Sequence, residues 1–189
     1  MKLIYQKIFE RAKPFLRTRK NLIHTQIVFR YVLKLLKQEK GDEEVVLPAI
    51  LLHDVGWKTI PEHLHLTAFG PNPTNLKLAR SHEIGGAKIA KRILEGLHYP
   101  PEKTEEICRI VRGHDSRKGA ISHSDRIVKD ADKLWRYSRI GVRVDTDRFH
   151  VSRSIYLKFM EKMINEWFFT PTAKELARKE ILLRKREES

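Results

Sequence analysis

The sequence has little cysteine and no long apolar run. Its single cysteine, Cys108, cannot form an internal disulfide, which favours a reducing compartment. No apolar segment approaches the length that spans a bilayer, so we predict no membrane-spanning helix. The opening residues, MKLIYQKIFERAKP, are too charged to resemble a secretory signal. Together these features predict a cytoplasmic protein.

Acidic residues are also scarce relative to basic ones. The chain has 38 Lys and Arg against 24 Asp and Glu, a formal net charge of +14. A positive field of this size favours anionic partners such as nucleotides or nucleic acid. The alternative is a solvated surface of helix-forming Lys and Arg. Neither a stacking-aromatic motif nor a glycine-rich nucleic-acid loop is evident, so nucleic-acid binding is the less favoured reading.

Strand-like alternation is almost absent, and apolar residues recur at helical spacing, which predicts an all-α fold. A length of 189 residues fits one domain over 1–189, with a core over about 20–140 and C-terminal helices over 147–187 packed on it. Asn21, Asp42 and Ser81 are the predicted N-caps of three helices, and Gly56 is predicted to stop one and let the chain turn away. The predicted helices cover 22–38, 43–55, 82–97, 101–114, 123–139 and 147–168, and a last one opens at Thr170-Pro171.

The segment 57–80 contains three prolines and Gly70, and it is predicted to be one long loop. A loop of this length within a compact domain is usually functional.

The stretch AILLHDVGW, residues 49–57, runs from four apolar residues directly into His53 and Asp54. Buried imidazoles and carboxylates are costly unless they are paired or bind a metal. Other polar residues also fall at the ends or inner faces of predicted helices, and such a set could converge on a divalent cation. The whole set is His24, His53, Asp54, His82, His114 and Asp132.

Each member of this set also has a structural explanation. His24 alone could be a core histidine, His82 a first-turn residue and His114 the end of its helix. Asp132 alone could pair with Lys133 or Arg136. The remaining histidines lie in predicted loops or polar stretches and receive no role: His63, His65, His98, His123 and His150.

Three motifs occur in an order that resembles the HD superfamily of metal-dependent phosphohydrolases. They are HTQIVFRYV, AILLHDVGW and DADKLW, and the resemblance spans about residues 20–140. It implies a single-domain helical bundle of the HD type. It also implies that His24, His53, Asp54 and Asp132 ligate metal, with Asp132 rather than Asp130 as the ligand of the last motif.

Two further segments are similar to those that supply extra histidines in two-metal members, such as the HD-GYP phosphodiesterases and the symmetrical diadenosine tetraphosphate hydrolases. They are SHEIGGAKIAKRIL and ICRIVRGHD, which implies that His82 and His114 hold a second ion bridged by Asp54. The chain departs from the HD-GYP pattern, because Trp57 replaces the usual lysine and DSRKG follows His114. Single-metal nucleotide phosphohydrolases remain an alternative.

The expected function is hydrolysis of a phosphate ester or anhydride, of a nucleotide or dinucleotide, by a water that the metal activates. Imidazole and carboxylate ligands suit Mn, Fe, Co, Ni or Zn ions, with Mg possible. Asp54, Glu62 and Lys58 are the predicted catalytic residues, and Glu62, Asp115 and Asp130 are candidate general acids. The residues predicted to bind substrate phosphate are Lys58, Arg117, Lys118 and Lys133, with plain surface charge as the alternative.

Two other classes of function stay open. The first is a sensor or binding module that keeps the fold without turnover, and the second is a basic nucleic-acid-binding protein. The expected partner is a phosphorylated small molecule.

Overall fold

The protein is all-helical, as predicted. The computed structural model describes residues 2–70 and 73–187, and these ranges contain no strand. None of the helices within them is long and apolar enough to cross a membrane. The α-helices are α1 Leu3–Leu16, α2 Asn21–Leu36, α3 Glu43–Leu52, α4 His65–Ala68, α5 Leu76–Glu95, α6 Pro101–Val111, α7 His123–Leu134, α8 Arg139–Phe149, α9 Arg153–Trp167 and α10 Pro171–Arg186. Three short 3₁₀ helices cover Val55–Thr59, Glu62–Leu64 and Trp135–Tyr137.

Helix α3 forms the centre of the bundle. Every residue from 45 to 52 is buried, so this helix has no solvent-facing stripe. It packs against α1, α2, α6 and α7. One apolar core joins α3 to most other helices and extends to Ala173, Ala177 and Ile181 of α10. The end of α3, where His53 and Asp54 follow, therefore lies inside the protein.

Of the four predicted N-caps, Asp42 and Thr170 are confirmed, whereas Asn21 and Ser81 are wrong. Asp42 accepts a hydrogen bond from the Glu44 amide at 2.9 Å. Thr170 accepts one from the Ala173 amide at 3.3 Å, opening α10 as predicted. Asn21 is instead the first helical residue of α2, and its side-chain amide donates to the Thr18 hydroxyl at 3.0 Å.

The prediction of a continuous loop over 57–80 is wrong. The segment contains two 3₁₀ helices and α4, and α5 begins at Leu76. Ser81 is therefore an interior residue of α5 rather than its cap, and its hydroxyl donates to the Lys77 carbonyl at 2.9 Å. Because no proline follows Pro73 in this stretch, the helix-forming residues from Leu76 onward extend α5 towards its N-terminus. Pro71 and Asn72 lie outside the described residues.

Two predicted helices are interrupted, and α1, α4 and most of α8 were not predicted. The span 147–168 is divided between α8 and α9, because His150 has a left-handed backbone (φ 52°) that ends α8. The span 123–139 changes to a 3₁₀ helix after Leu134. Helix α1, which buries Tyr5, Ile8, Ala12 and Leu16, had no prediction.

Gly56 allows a close helix contact, not the turn that we predicted. Its φ is not positive, and it lies in the 3₁₀ helix that packs on α5. A Cβ at this position would overlap the carbonyl oxygen of His82 and the backbone of Gly86. The contact between Gly56 and Gly86 therefore sets how closely Asp54 approaches His82.

We expect Gly56→Ala to lower the free energy of unfolding by about 1–3 kcal/mol, because backbone atoms of α5 must shift to admit the methyl group. Urea denaturation of the metal-free protein measures this change. Gly119→Ala is the matched control, since nothing lies within 4 Å of a Cβ there, and it should change stability by less than about 0.5 kcal/mol. Equal stability of the two variants would contradict the close-contact explanation.

Candidate metal centre

Six polar side chains from five helical segments meet at one point inside the bundle. His24 lies near the start of α2, His53 and Asp54 directly follow α3, and Asp132 lies in the last turn of α7. His82 lies within α5, and His114 follows α6. Their ligand atoms form two groups, each within 4.8 Å: a first cluster of His24, His53 and Asp132, and a second cluster of Asp54, His82 and His114.

The first cluster has the spacing of ligands around one cation. His24 Nε2 lies 2.9 Å from His53 Nε2 and 3.0 Å from Asp132 Oδ1. Asp54 Oδ2 lies 3.4 Å from His24 Nε2 and 3.6 Å from His53 Nε2. Donor atoms bound to one ion at about 2.0–2.2 Å are themselves about 3.0–3.5 Å apart. The residues therefore fit a divalent ion.

The second cluster uses the other oxygen of Asp54. Asp54 Oδ1 lies 3.5 Å from His114 Nε2 and 3.9 Å from His82 Nε2, and the two nitrogens are 3.3 Å apart. Asp115 Oδ2 lies 3.6 Å from His82 Nε2 and 3.7 Å from His114 Nε2. Because its two oxygens face different clusters, Asp54 has the geometry of a bridging carboxylate.

Backbone carbonyls fix the orientation of two of the imidazoles. His53 Nδ1 lies 2.8 Å from the Ile50 carbonyl oxygen, and His114 Nδ1 lies 2.8 Å from that of Val111. A ring nitrogen that donates to a carbonyl carries the hydrogen, so in each neutral ring the Nε2 lone pair faces the cluster. This is the arrangement that a metal-binding histidine needs.

Trp57 supports the second cluster from the side. Its ring stacks on His82, with the centroids 4.1 Å apart and the planes 12° from parallel. Its indole Nε1 donates to Asp54 Oδ1 at 3.1 Å. Trp57 thus orients two of the proposed ligands, His82 and Asp54.

The negative charges of Asp54 and Asp132 require positive charge close to them. Burial opposes ionisation of Asp54 and Asp132, yet the surrounding imidazoles hold the pKa of both carboxyl groups well below the ordinary value. Burial lowers the pKa of His114, but Asp115 and Asp54 more than offset it and raise this pKa to about 10. Protons on the imidazoles thus balance the buried carboxylates, and a divalent ion could replace them.

A buried lysine holds the segment that carries His114. Lys129 is 1% exposed, and its ammonium donates to the carbonyls of Gly113 and His114 at 2.7 Å and of Arg117 at 2.9 Å. All three of its hydrogens are therefore used, and burial lowers the pKa of the amine.

Glu83 holds the same segment from the other side. This buried carboxylate follows His82 and accepts hydrogen bonds from the amides of Asp115 at 2.8 Å and Ser116 at 2.9 Å. Arg80 pairs with it at 2.8 Å. The position of His114 relative to His82 is thus fixed by hydrogen bonds to α5 and α7.

A cavity of about 420 Å³, here called the basic cavity, opens onto the first cluster. Its cations are Arg19, Lys20, Arg136 and Arg148, and its aromatic walls are Trp57, Phe69 and Trp135. The buried carboxylate of Asp145 pairs with Arg136 at 2.9 Å and Arg148 at 3.4 Å. Two guanidinium groups are thereby held in place beside the cluster.

Most of the predicted phosphate-binding residues do not reach the clusters. Lys58 and Lys118 are exposed, and so is Glu62, which was predicted to be catalytic together with Lys58. None of the three lines the basic cavity or a second cavity beside Asp132, because the turns that carry them face solvent. The Arg117 guanidinium pairs with the buried Asp125 carboxylate at 2.7 Å. Lys133 does line a cavity beside Asp132.

Asp130, a candidate general acid, has a structural role because its carboxylate is engaged with backbone amides. Its carboxylate accepts hydrogen bonds from the Phe169 amide at 2.9 Å and the Thr170 amide at 2.8 Å.

Several residues of the cavity were not predicted. Arg136 lies one helical turn after Asp132, so this spacing could have indicated it. Arg19 and Lys20 precede the helix of His24, in a basic run that offered a weaker signal. His65 is buried, with its ring 4.8 Å from Trp57 and its Nε2 2.9 Å from the Ile60 carbonyl oxygen. Nothing in its local sequence marked it.

The comparisons agree with the resemblance found in the sequence. A family model described as "HD domain" matches residues 21–137. The fold is similar to the crystal structure of a predicted HD superfamily hydrolase from an uncultured Thermotogales bacterium. The TM-score is 0.65 at 17% identity, covering 97% of this chain and 88% of the other. No curated protein matches the sequence.

We expect Lys129→Met to lower the free energy of unfolding by about 2–4 kcal/mol, because the carbonyls of Gly113, His114 and Arg117 lose their donor. Lys88→Met, at an exposed position of α5, should change it by less than about 0.5 kcal/mol. Urea denaturation of both metal-free variants measures the difference. A Lys129→Met protein as stable as the control would show that the carbonyls find other partners.

Proposed function

Because this chain belongs to the HD-domain family of metal-dependent phosphohydrolases, we propose that it hydrolyses a phosphate ester or anhydride of a nucleotide or similar small molecule. The supporting observation is the pair of clusters that share Asp54, with Oδ2 facing His24 and His53 and Oδ1 facing His114. Isolated structural roles for these residues do not account for six ligand-type side chains directed at one buried point.

The proposed ligands of the first ion are His24, His53, Asp54 and Asp132, and those of the second are Asp54, His82 and His114. When bound, such ions lower the pKa of a coordinated water and neutralise charge on a phosphoryl group. The imidazole and carboxylate donors suit Mn, Fe, Co, Ni or Zn ions, with Mg possible. The carbonyls of Ile50 and Val111 hold His53 and His114 with Nε2 towards the clusters, so both rings would be ready to bind such ions.

Arg136 and Arg148 are the proposed phosphate-binding residues, because Asp145 orients both in the wall of the basic cavity. Guanidinium groups match the oxygens of a phosphate in a bidentate manner. Lys133 remains a proposed contact from the neighbouring cavity. The substrate is thus expected to enter with its phosphate towards Asp132.

Asp115 is the carboxylate best positioned to protonate the leaving group. It lines the basic cavity, and its side chain is 47% exposed while lying beside His82 and His114. Glu62 lines neither cavity and Asp130 is occupied by backbone amides, so we do not propose either as the acid. Asp115 could alternatively complete the second ion's ligand set.

We expect the protein to bind two transition-metal ions and the His82→Ala, His114→Ala double variant to bind one. The first cluster keeps all its ligands in this variant, whereas the second retains only Asp54. Elemental analysis after equilibration with Mn²⁺ or Zn²⁺ measures the ratio. The matched control is the His63→Ala, His123→Ala double variant, since neither ring belongs to a cluster. Two ions in both double variants would exclude the second site.

We expect Asp54→Ala to lose hydrolysis of every substrate that the wild-type protein cleaves, with at least a 10³-fold fall in kcat, because this carboxylate serves both ions. A screen of nucleotides and dinucleotides with released phosphate as readout identifies the substrate first. Asp147→Ala, which removes an exposed carboxylate from α8, should retain activity. A metal-loaded wild-type protein that binds nucleotides and cleaves none would favour the sensor alternative.

A further inference from the structure

A second cavity, of about 430 Å³, lies next to the basic cavity and has a different chemical character. We call it the apolar cavity. Its apolar lining consists of Phe149, Val151, Ile155, Phe159, Met160 and Trp167. Its volume falls within the range of about 300–1,000 Å³ that small-molecule sites occupy.

The apolar cavity is continuous with the proposed active site. Asp115, Asp132 and Arg136 line both cavities, and Asp132 belongs to the first cluster. Lys133 and Arg136 are the cations of its wall and lie where the cavity meets the cluster. A molecule whose phosphate lies at the cluster could therefore extend an uncharged group into the apolar cavity.

Large side chains are left in contact with water at this cavity. Ile155 is 64% exposed and Phe159 is 49% exposed. The Phe159 ring meets Trp167 edge to face, with the centroids 5.9 Å apart. An apolar ligand would remove this surface from water, which is the principal source of affinity in such sites.

We infer that the apolar cavity binds the organic group of the phosphorylated substrate, and that this group is apolar or aromatic. The inference rests on the proposed function, because the phosphate has to be held at the metal clusters. It assigns phosphate esters with a flat, apolar group as the preferred substrates over small hydroxylated ones. Asp132 and Arg136, which line both cavities, would then lie between the bound phosphate and the organic group.

A pair of non-hydrolysable phosphonates tests this assignment by titration calorimetry on the metal-loaded full chain. Benzylphosphonate and methylphosphonate share the anionic group and differ by the ring. Removal of about 60 Å² of ring surface from water corresponds to roughly tenfold in affinity. We expect the wild-type protein to bind benzylphosphonate about tenfold more tightly than methylphosphonate.

The Phe159→Ser variant should lower this preference to less than about threefold and leave the affinity for methylphosphonate unchanged. Leu182→Ser is the control, because Leu182 is 57% exposed on α10 and lines neither cavity. Equal binding of the two phosphonates by the wild-type protein, or a full preference in Phe159→Ser, would overturn the inference alone. Failure of both phosphonates to bind would overturn the proposed function as well.

Sedimentation of the same samples examines a competing occupant, a second copy of the chain. A dimer that Phe159→Ser converts to a monomer, together with no benzyl preference in the wild-type protein, would assign this surface to self-association and overturn the inference. The inference is supported if the wild-type protein prefers benzylphosphonate and Phe159→Ser leaves the oligomeric state unchanged.

Discussion

The placement of two carboxylates, the buried Asp54 and the half-buried Asp132, among imidazoles is the constraint on which the rest of the structure depends. A buried carboxylate is stable only with compensating positive charge, and here that charge comes from protonated histidines or from bound cations. The apolar helix α3 brings Asp54 into the interior, and α7 supplies Asp132. The compensating imidazoles come from α2, from α5 and from the residues that directly follow α3 and α6. The bundle is thus organised around a charged centre, and its apolar core packs around that centre.

The sequence predicted the fold class and several helix boundaries, because local chemistry determines them. Asp42 and Thr170 were identified as caps since each precedes a helical apolar pattern. The start of α5 was misplaced because Ser81 resembles a cap, while the helix-forming residues before it decided otherwise. The break at His150 depends on a left-handed backbone that a histidine adopts only in a suitable tertiary setting, so no local pattern marked it.

The candidate site was predictable to a different extent. Six proposed ligands could be found from their residue types and order, and the structure brings all six together, although metal binding by them stays a prediction. The cations were mostly missed or misplaced. Lys58 lies close to Asp54 in sequence but faces solvent, whereas Arg148 lies far away in sequence and reaches the basic cavity through its pairing with Asp145. Sequence distance is informative for ligands at helix ends and uninformative for side chains that tertiary packing selects.

Helix α7 shows how one short motif serves several purposes. Lys129, Asp130 and Asp132 follow each other within four positions, and at about 100° per residue they point in different directions. Lys129 fixes the segment of His114, Asp130 anchors the start of α10 through Phe169 and Thr170, and Asp132 faces the first cluster. The three polar residues thus connect the second cluster, the C-terminal helix and the first cluster through a single rigid element. A shift of α7 would disturb all three at once, so the stability of the bundle and the geometry of the site are determined by the same few contacts.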